Sequence, residues 1–205
     1  MLGLILRASR VGRLVLMDWL WSTWYNALLR IHPGVSCAGW IRVTGRMHWL
    51  LDARSTVRIG HGVRIHSGHG LNPVGGHRRT IISTGPGGHL SLMDGCGLSS
   101  STIVCMDQVE VGARTLLGGG SEIYDSDFHS LDHRQRQQPG NPGAVTRPIR
   151  IGADCFIGAG AMLLKGADVG DRAIVGARAL VTGMIPADSI WAGNPARQIS
   201  PKAAS

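Results

Sequence analysis

The stretch Ile123-Tyr-Asp-Ser-Asp-Phe-His-Ser-Leu-Asp132 places one imidazole, His129, between two carboxylates, Asp127 and Asp132. A carboxylate beside a histidine orients the ring and supports it as a general base near neutral pH. Spacing alone also fits a surface histidine in a polar loop. Upstream, His61 and His66 stand five residues apart, with His69, His77 and His89 nearby. Histidines gathered from neighbouring segments are the raw material of a zinc site. The cysteines, Cys37, Cys96, Cys105 and Cys155, form no C-x-x-C pair, so no zinc knuckle or redox motif is spelled out. Free thiols suit a reducing cytoplasm.

The elements that must hold these groups follow from a period of six. Residues 151–186 divide into consecutive hexapeptides opening on Ile151, Ile157, Leu163, Val169, Val175 and Val181. Gly follows the opening residue in four of these six blocks, and the fifth place is Cys or Ala in all but the last. Such a period fits neither a helix nor simple strand alternation. It predicts an all-β solenoid whose three-block coils stack at strand spacing, roughly 4.8 Å apart. The aliphatic points into the prism, the small fifth residue sits inward near a corner, and Gly and charged residues take the turns. The same register is read upstream from Ile59 and Ile65, then from Leu92, Leu98 and Val104, and, after a one-residue slip, from Val111, Leu117 and Ile123. Residues 71–90 and 129–148 interrupt it. The second reads as a loop extruded from one corner, a common place for function in repeat proteins.

The chain divides into an amphipathic helical segment at 1–34, the solenoid at 35–200 and a tail at 201–205. Asp18, Ser22, Asn26 and Arg30 recur every four residues and draw one narrow polar stripe along the helix, which Pro33-Gly34 ends. Charges break the ~20-residue apolar run that a transmembrane span needs. No small-residue cleavage site follows it, which argues against a signal peptide. Two roles remain: a cap over the open end of the solenoid, which is favoured, or peripheral membrane contact through residues 2–31. In the latter, Trp19, Trp21, Trp24 and Tyr25 would lie at headgroup level and Arg7, Arg10 and Arg13 would attract acidic lipid. The net charge of +8 attracts anions generally. Its basic residues are scattered without interleaved aromatics, so a nucleic-acid partner is not expected.

The Ile-Gly hexapeptides, the Tyr-Asp-Ser-Asp-Phe-His129 stretch and the ending Ile190-Trp-Ala-Gly-Asn-Pro-Ala-Arg197 together resemble the hexapeptide-repeat acyltransferases. The nearest branch is the sugar and surface-polysaccharide O-acetyltransferases of colanic-acid, galactoside and maltose type. The resemblance covers roughly residues 35–200. It implies a left-handed parallel β-helix, a homotrimer with active sites between subunits, and acetyl-CoA as donor to a hydroxyl of a glycan or other small-molecule acceptor. It implies His129 as catalytic base, with Asp127 as its acidic neighbour. It also implies Ala159, Lys165, Ala177, Thr182 and Arg197 along the CoA path, and Ser100 at the acceptor. Trp191 stands where such enzymes carry a small aliphatic, and loop 129–148 differs from the short connection of the small-sugar enzymes; both put the acceptor in question more than the donor. Other readings are a zinc-dependent β-helix enzyme of carbonic-anhydrase type and a non-catalytic scaffold in glycan assembly. Serine acetyltransferases resemble a larger helical domain ahead of the coil, for which these thirty-odd residues are too few.

Overall fold

In the computed structural model, which describes residues 2–68, 73–140 and 142–201, a long helix is followed by a three-sided parallel β-helix. The first sheet stacks seven strands from Val35–Cys37 to Met184–Ile185. The second stacks eight, from Arg42–Thr44 to Arg197–Pro201, and the third six, from His48–Leu51 to Leu180–Val181. Successive strands visit the three sheets in turn, so each sheet pairs segments one coil apart, as Phe156–Ile157 pairs with Ile174–Val175. This is the left-handed β-helix architecture expected of hexapeptide repeats.

The period of six is the packing rule. Ile151, Ile157, Leu163, Val169, Val175 and Val181 are all buried, and so are Cys155, Ala161, Ala167, Ala173 and Ala179 in the fifth places. Two side chains per block therefore fill the prism, and the small one leaves room at the corner for the next coil. Close stacking explains the glycine after the aliphatic: a Cβ on Gly112 would lie 2.3 Å from the backbone of Gly152 on the next coil. At the corner between the first and second sheets, Arg114, Asp154, Arg172 and Asp188 all have φ between 55° and 60°. Their side chains pair along the column, Arg114 with Asp154 at 2.6 Å and Arg172 with Asp188 at 2.6 Å.

Two parts of the upstream register differ from expectation. Ile103, not Val104, points into the prism; Val104 lies on the outer side of the third sheet beside Thr102. The corner from Leu98 to Ile103 is one residue short and the next, from Ile103 to Val111, is two residues long, so two opposite offsets replace the single slip. The first interruption is also shorter than 71–90, because Ile81–Thr84 and His89–Leu92 are coil strands paired on both sides. The second lies where expected: Ser126 and Thr146 form an antiparallel bridge at its base, and the coil resumes at Ile149–Ile151.

The helix α1, Leu2–Ile31, closes the N-terminal end, and its polar stripe faces the coil. The Ser22 hydroxyl accepts from Val43 N–H at 2.9 Å and donates to Val43 C=O at 3.3 Å. Asn26 brackets Ile41 in the same way, accepting at 3.1 Å and donating at 2.7 Å, and the Tyr25 hydroxyl brackets Met47 at 2.9 Å both ways. An end strand presents unpaired backbone groups; here one face of a helix satisfies them while Tyr25 and Leu29 plug the prism. At the other end Arg197–Pro201 folds back antiparallel onto Ser189–Ala192. Among the described residues no helix is long and apolar enough to cross a membrane.

Candidate active site

The predicted site residues fall on the two corners that border the third sheet, except Arg197, which begins the last strand of the second. The corner leading from the third sheet to the first carries the extruded loop. Its base is fixed by buried Asp125, whose carboxylate accepts the N–H groups of Met106 and Asp107, each at 2.8 Å, while its carbonyl accepts from Arg147 at 3.0 Å. Burial raises the Asp125 pKa, with the two backbone donors opposing it. Asp127 N–H bonds Val145 C=O at 3.0 Å, and Phe128 turns with φ 61° while its N–H bonds the Ser126 hydroxyl. This kinked segment delivers His129 to an exposed position at the start of the loop. Beyond it the Ser130 hydroxyl accepts from Asp132 N–H, and Asp132 caps the short helix α2, His133–Arg136.

Asp127 and Lys165, assigned to different roles from the sequence, meet: Lys165 Nζ lies 2.7 Å from Asp127 Oδ1, both side chains largely shielded from solvent. Lys165 belongs to the next coil at the same corner, so the ion pair ties the loop's first turn to the coil beneath.

The corner between the second and third sheets holds the small residues. Ser99, Gly119, Ala159 and Ala177 follow one another by coil, linked through Gly120 N–H to Ser99 C=O, Gly160 N–H to Gly119 C=O and Arg178 N–H to Ala159 C=O. Ala159 and Ala177 are thus stacked neighbours, eighteen residues apart in sequence. Ser100 sits at the same corner with φ 48°, but it is wholly buried, so an acceptor would not reach it on the protomer surface. Thr182 and Arg197 also come together, lining with Trp191 a hollow of about 130 Å³ at the C-terminal end.

The sequence reading missed the segment 73–80. It lies over the Gly119 corner so closely that a Cβ there would be 2.3 Å from Val74 C=O. From it Arg78 reaches across to an ion pair with Glu122 on the third sheet. With His77, Ala159, Gly160 and Arg178 these residues border an open cleft of about 700 Å³. No short-range pattern announces it, since Arg78 and Glu122 are separated by 44 residues. Next to Glu122, Tyr124 packs edge-on against Phe128 with centroids 5.6 Å apart; burial and the Glu122 carboxylate raise its pKa. The third sheet's outer face, bearing Glu122 and Tyr124, is therefore bordered by the 73–80 segment at one corner and the His129 loop at the other. Among the described residues no three His, Cys, Asp or Glu side chains gather as a metal-binding set; His69 lies outside the described residues.

Residues 148–183 match the family described as bacterial transferase hexapeptide (six repeats). A Mycobacterium tuberculosis protein named a probable acetyltransferase is 29% identical over 154 residues, 71% of this chain and 50% of its own length. The chain spans about half the length of the curated relatives it matches. Among solved structures, a hexapeptide-repeat acetyltransferase of Vibrio cholerae superposes with a TM-score of 0.58 at 22% identity, covering 96% of this chain and 90% of that one. The N-acyltransferase AntD of Bacillus cereus, solved with dTDP-4-amino-4,6-dideoxyglucose and coenzyme A, gives 0.64 at 14% identity, covering 88% and 89%. These structures share the fold.

Proposed function

We propose that the protein is an acetyl-CoA-dependent O-acetyltransferase acting on a hydroxyl of a sugar or surface-polysaccharide precursor. The observation that carries the reading is the exposed His129, delivered by a pinned turn at the edge of a coil whose residues 148–183 match the transferase hexapeptide family. Matching proteins named as acetyltransferases, and a same-fold neighbour holding coenzyme A and a nucleotide sugar, support the donor and acceptor classes.

In this reading His129 removes the proton from the acceptor hydroxyl as that oxygen attacks the thioester carbonyl. The C–S bond then breaks, and the imidazolium returns its proton to the departing thiolate. No enzyme-bound acyl group is formed. Backbone N–H groups at the coil corners are candidates for the oxyanion donors. Asp127, held by Lys165, positions the turn that carries the base. The stacked Ala159 and Ala177 leave a corner smooth enough for the pantetheine arm, with Thr182 and the Arg197 guanidinium further along for the nucleotide end. A homotrimer would place a second subunit across this corner, and exposed Leu116 and Phe156 on the second sheet offer apolar surface for it. A cytoplasmic setting fits both the CoA donor and the free thiols.

The test is incubation with acetyl-CoA and a panel of sugars, oligosaccharides and nucleotide sugars, with mass spectrometry of the acceptors. An O-acetylated product supports the reading. N-acetylation of amino sugars alone would replace the acceptor class, and no product together with no CoA binding would remove the transferase reading.

A further inference from the structure

The helix α1 is inside out. Its polar stripe, Ser22 and Asn26 with Tyr25, is spent on the end strand of the coil, and Ser22, Asn26 and Leu29 are at most 4% exposed. The opposite side shows solvent a continuous apolar stripe of Met17, Leu20, Trp24, Leu28 and Ile31, at spacings of three and four. Trp24 is 61% exposed and Ile31 79%. Beside the stripe stand two more exposed tryptophans, Trp19 and Trp40, which with Arg42 line a cleft of about 320 Å³. The described charges around this end are mostly cationic. The Arg30 guanidinium lies 6.0 Å from the Trp40 ring, Arg46 lies 5.2 Å from Trp21, and Arg42 is exposed, with Asp18 as the acidic neighbour.

We propose that this end of the β-helix is a docking surface for an anionic phospholipid bilayer, with α1 lying flat at the headgroup level. The inference does not depend on the acyl-transfer reading. Indole rings are suited to the interface because they combine apolar bulk with one N–H donor. Arginines around them add attraction to acidic headgroups that salt screens away. A second copy of the chain on the same stripe would bring two such arginine sets together, whereas an anionic bilayer neutralises them. Capping and membrane contact, alternatives at the level of sequence, here occupy opposite faces of one helix.

The test is co-sedimentation of the full chain with vesicles of phosphatidylcholine containing about a third phosphatidylglycerol, against phosphatidylcholine alone. Binding to the mixed vesicles should be on the order of tenfold tighter, and should fall by a similar factor when salt is raised to about 0.5 M. Brominated lipid should quench the tryptophan emission of the bound protein. The double variant Trp24→Ser/Leu28→Ser, both on the solvent side, should keep the wild-type melting profile and lose vesicle binding. A variant that fails to fold shifts the decision to the quenching of wild type, which needs no substitution. Absence of binding overturns the proposal, as does binding with unquenched tryptophans. A dimer or trimer that the double variant dissociates, without vesicle binding by wild type, would assign the face to a second copy instead.

Discussion

Replacing Asn26 with leucine removes the most connected polar side chain of the cap. Asn26 donates to Ile41 C=O at 2.7 Å, accepts from Ile41 N–H at 3.1 Å, and is 1% exposed. Leucine keeps the branched skeleton but is bulkier, so some overpacking at this buried position adds to the loss. Both Ile41 backbone groups would be left without partners at a buried edge, at about 1–3 kcal/mol each, for a loss of about 2–6 kcal/mol. For a cooperative chain of this size that corresponds to a melting decrease of roughly 5–15 °C. Solenoids unfold by neighbouring units, so part of the loss should show first as local opening of the N-terminal coil. Hydrogen exchange therefore reads it most directly: the amides of Ile41 and Val43 should lose protection in Asn26→Leu, while those of Ile157 and Val175 keep theirs. Trp24→Ser on the outer side of the same helix should leave both readouts close to wild type. An Asn26→Leu protein with unchanged melting and unchanged Ile41 and Val43 exchange would refute the cap.

Other expectations concern the loops and the buried thiols. Gly119→Ala should displace the 73–80 segment, because backbone at Val74 cannot yield as a side-chain tip could; a destabilisation of about 1–3 kcal/mol and greater protease cleavage near residue 76 would be measured. Lys165→Met should lower turnover several-fold while leaving global unfolding nearly unchanged, with faster proteolysis of 129–148 reporting the loosened turn at Asp127. Burial raises Cys96 from 9.0 to about 11 and Cys105 from 9.0 to about 12. The folded state therefore holds these protons above pH 9 while the unfolded chain releases them. Stability from these groups is full below about pH 9 and is lost as pH rises through the folded values, so urea midpoints should fall between pH 9 and 11 and fall less in Cys105→Ala. Neither thiol should react with an aromatic disulfide reagent at pH 8 until the protein unfolds.

Much of the coil could be read directly because every block from Ile151 to Val181 puts its core residue at the same place, and the prism tolerates nothing else there. Legibility failed where corners change length. Val104 is as aliphatic as Ile103, and only the stacking of Ile103 between Ile82 and Ile123 decides which points inward. Residues 81–90 escape the pattern because Ile-Ile-Ser-Thr and His-Leu lack the aliphatic-Gly opening. At the N-terminus the polar stripe was visible as a stripe, but a stripe does not say which way it faces. Its burial follows from the unpaired strand it meets, a demand set by the fold rather than by the helix. At the site, sequence order supplied His129 and the alternating small residues. The Asp127–Lys165 and Arg78–Glu122 pairs arise from coil stacking across 38 and 44 residues, and periodicity carries no information about them.

Acyl transfer at this coil edge, with His129 as base, would be read from thiol release from acetyl-CoA. Wild type and His129→Ala would be compared with each acceptor in the panel and without acceptor, alongside CoA binding to both proteins. Wild type should release thiol only with acceptor, His129→Ala should lose at least about a hundredfold, in line with the usual contribution of a general base, and CoA affinity should be unchanged. Release that persists in His129→Ala at the wild-type rate would contradict the assignment of the base. A wild-type protein that neither binds CoA nor releases thiol with any acceptor would rule out acyl transfer altogether.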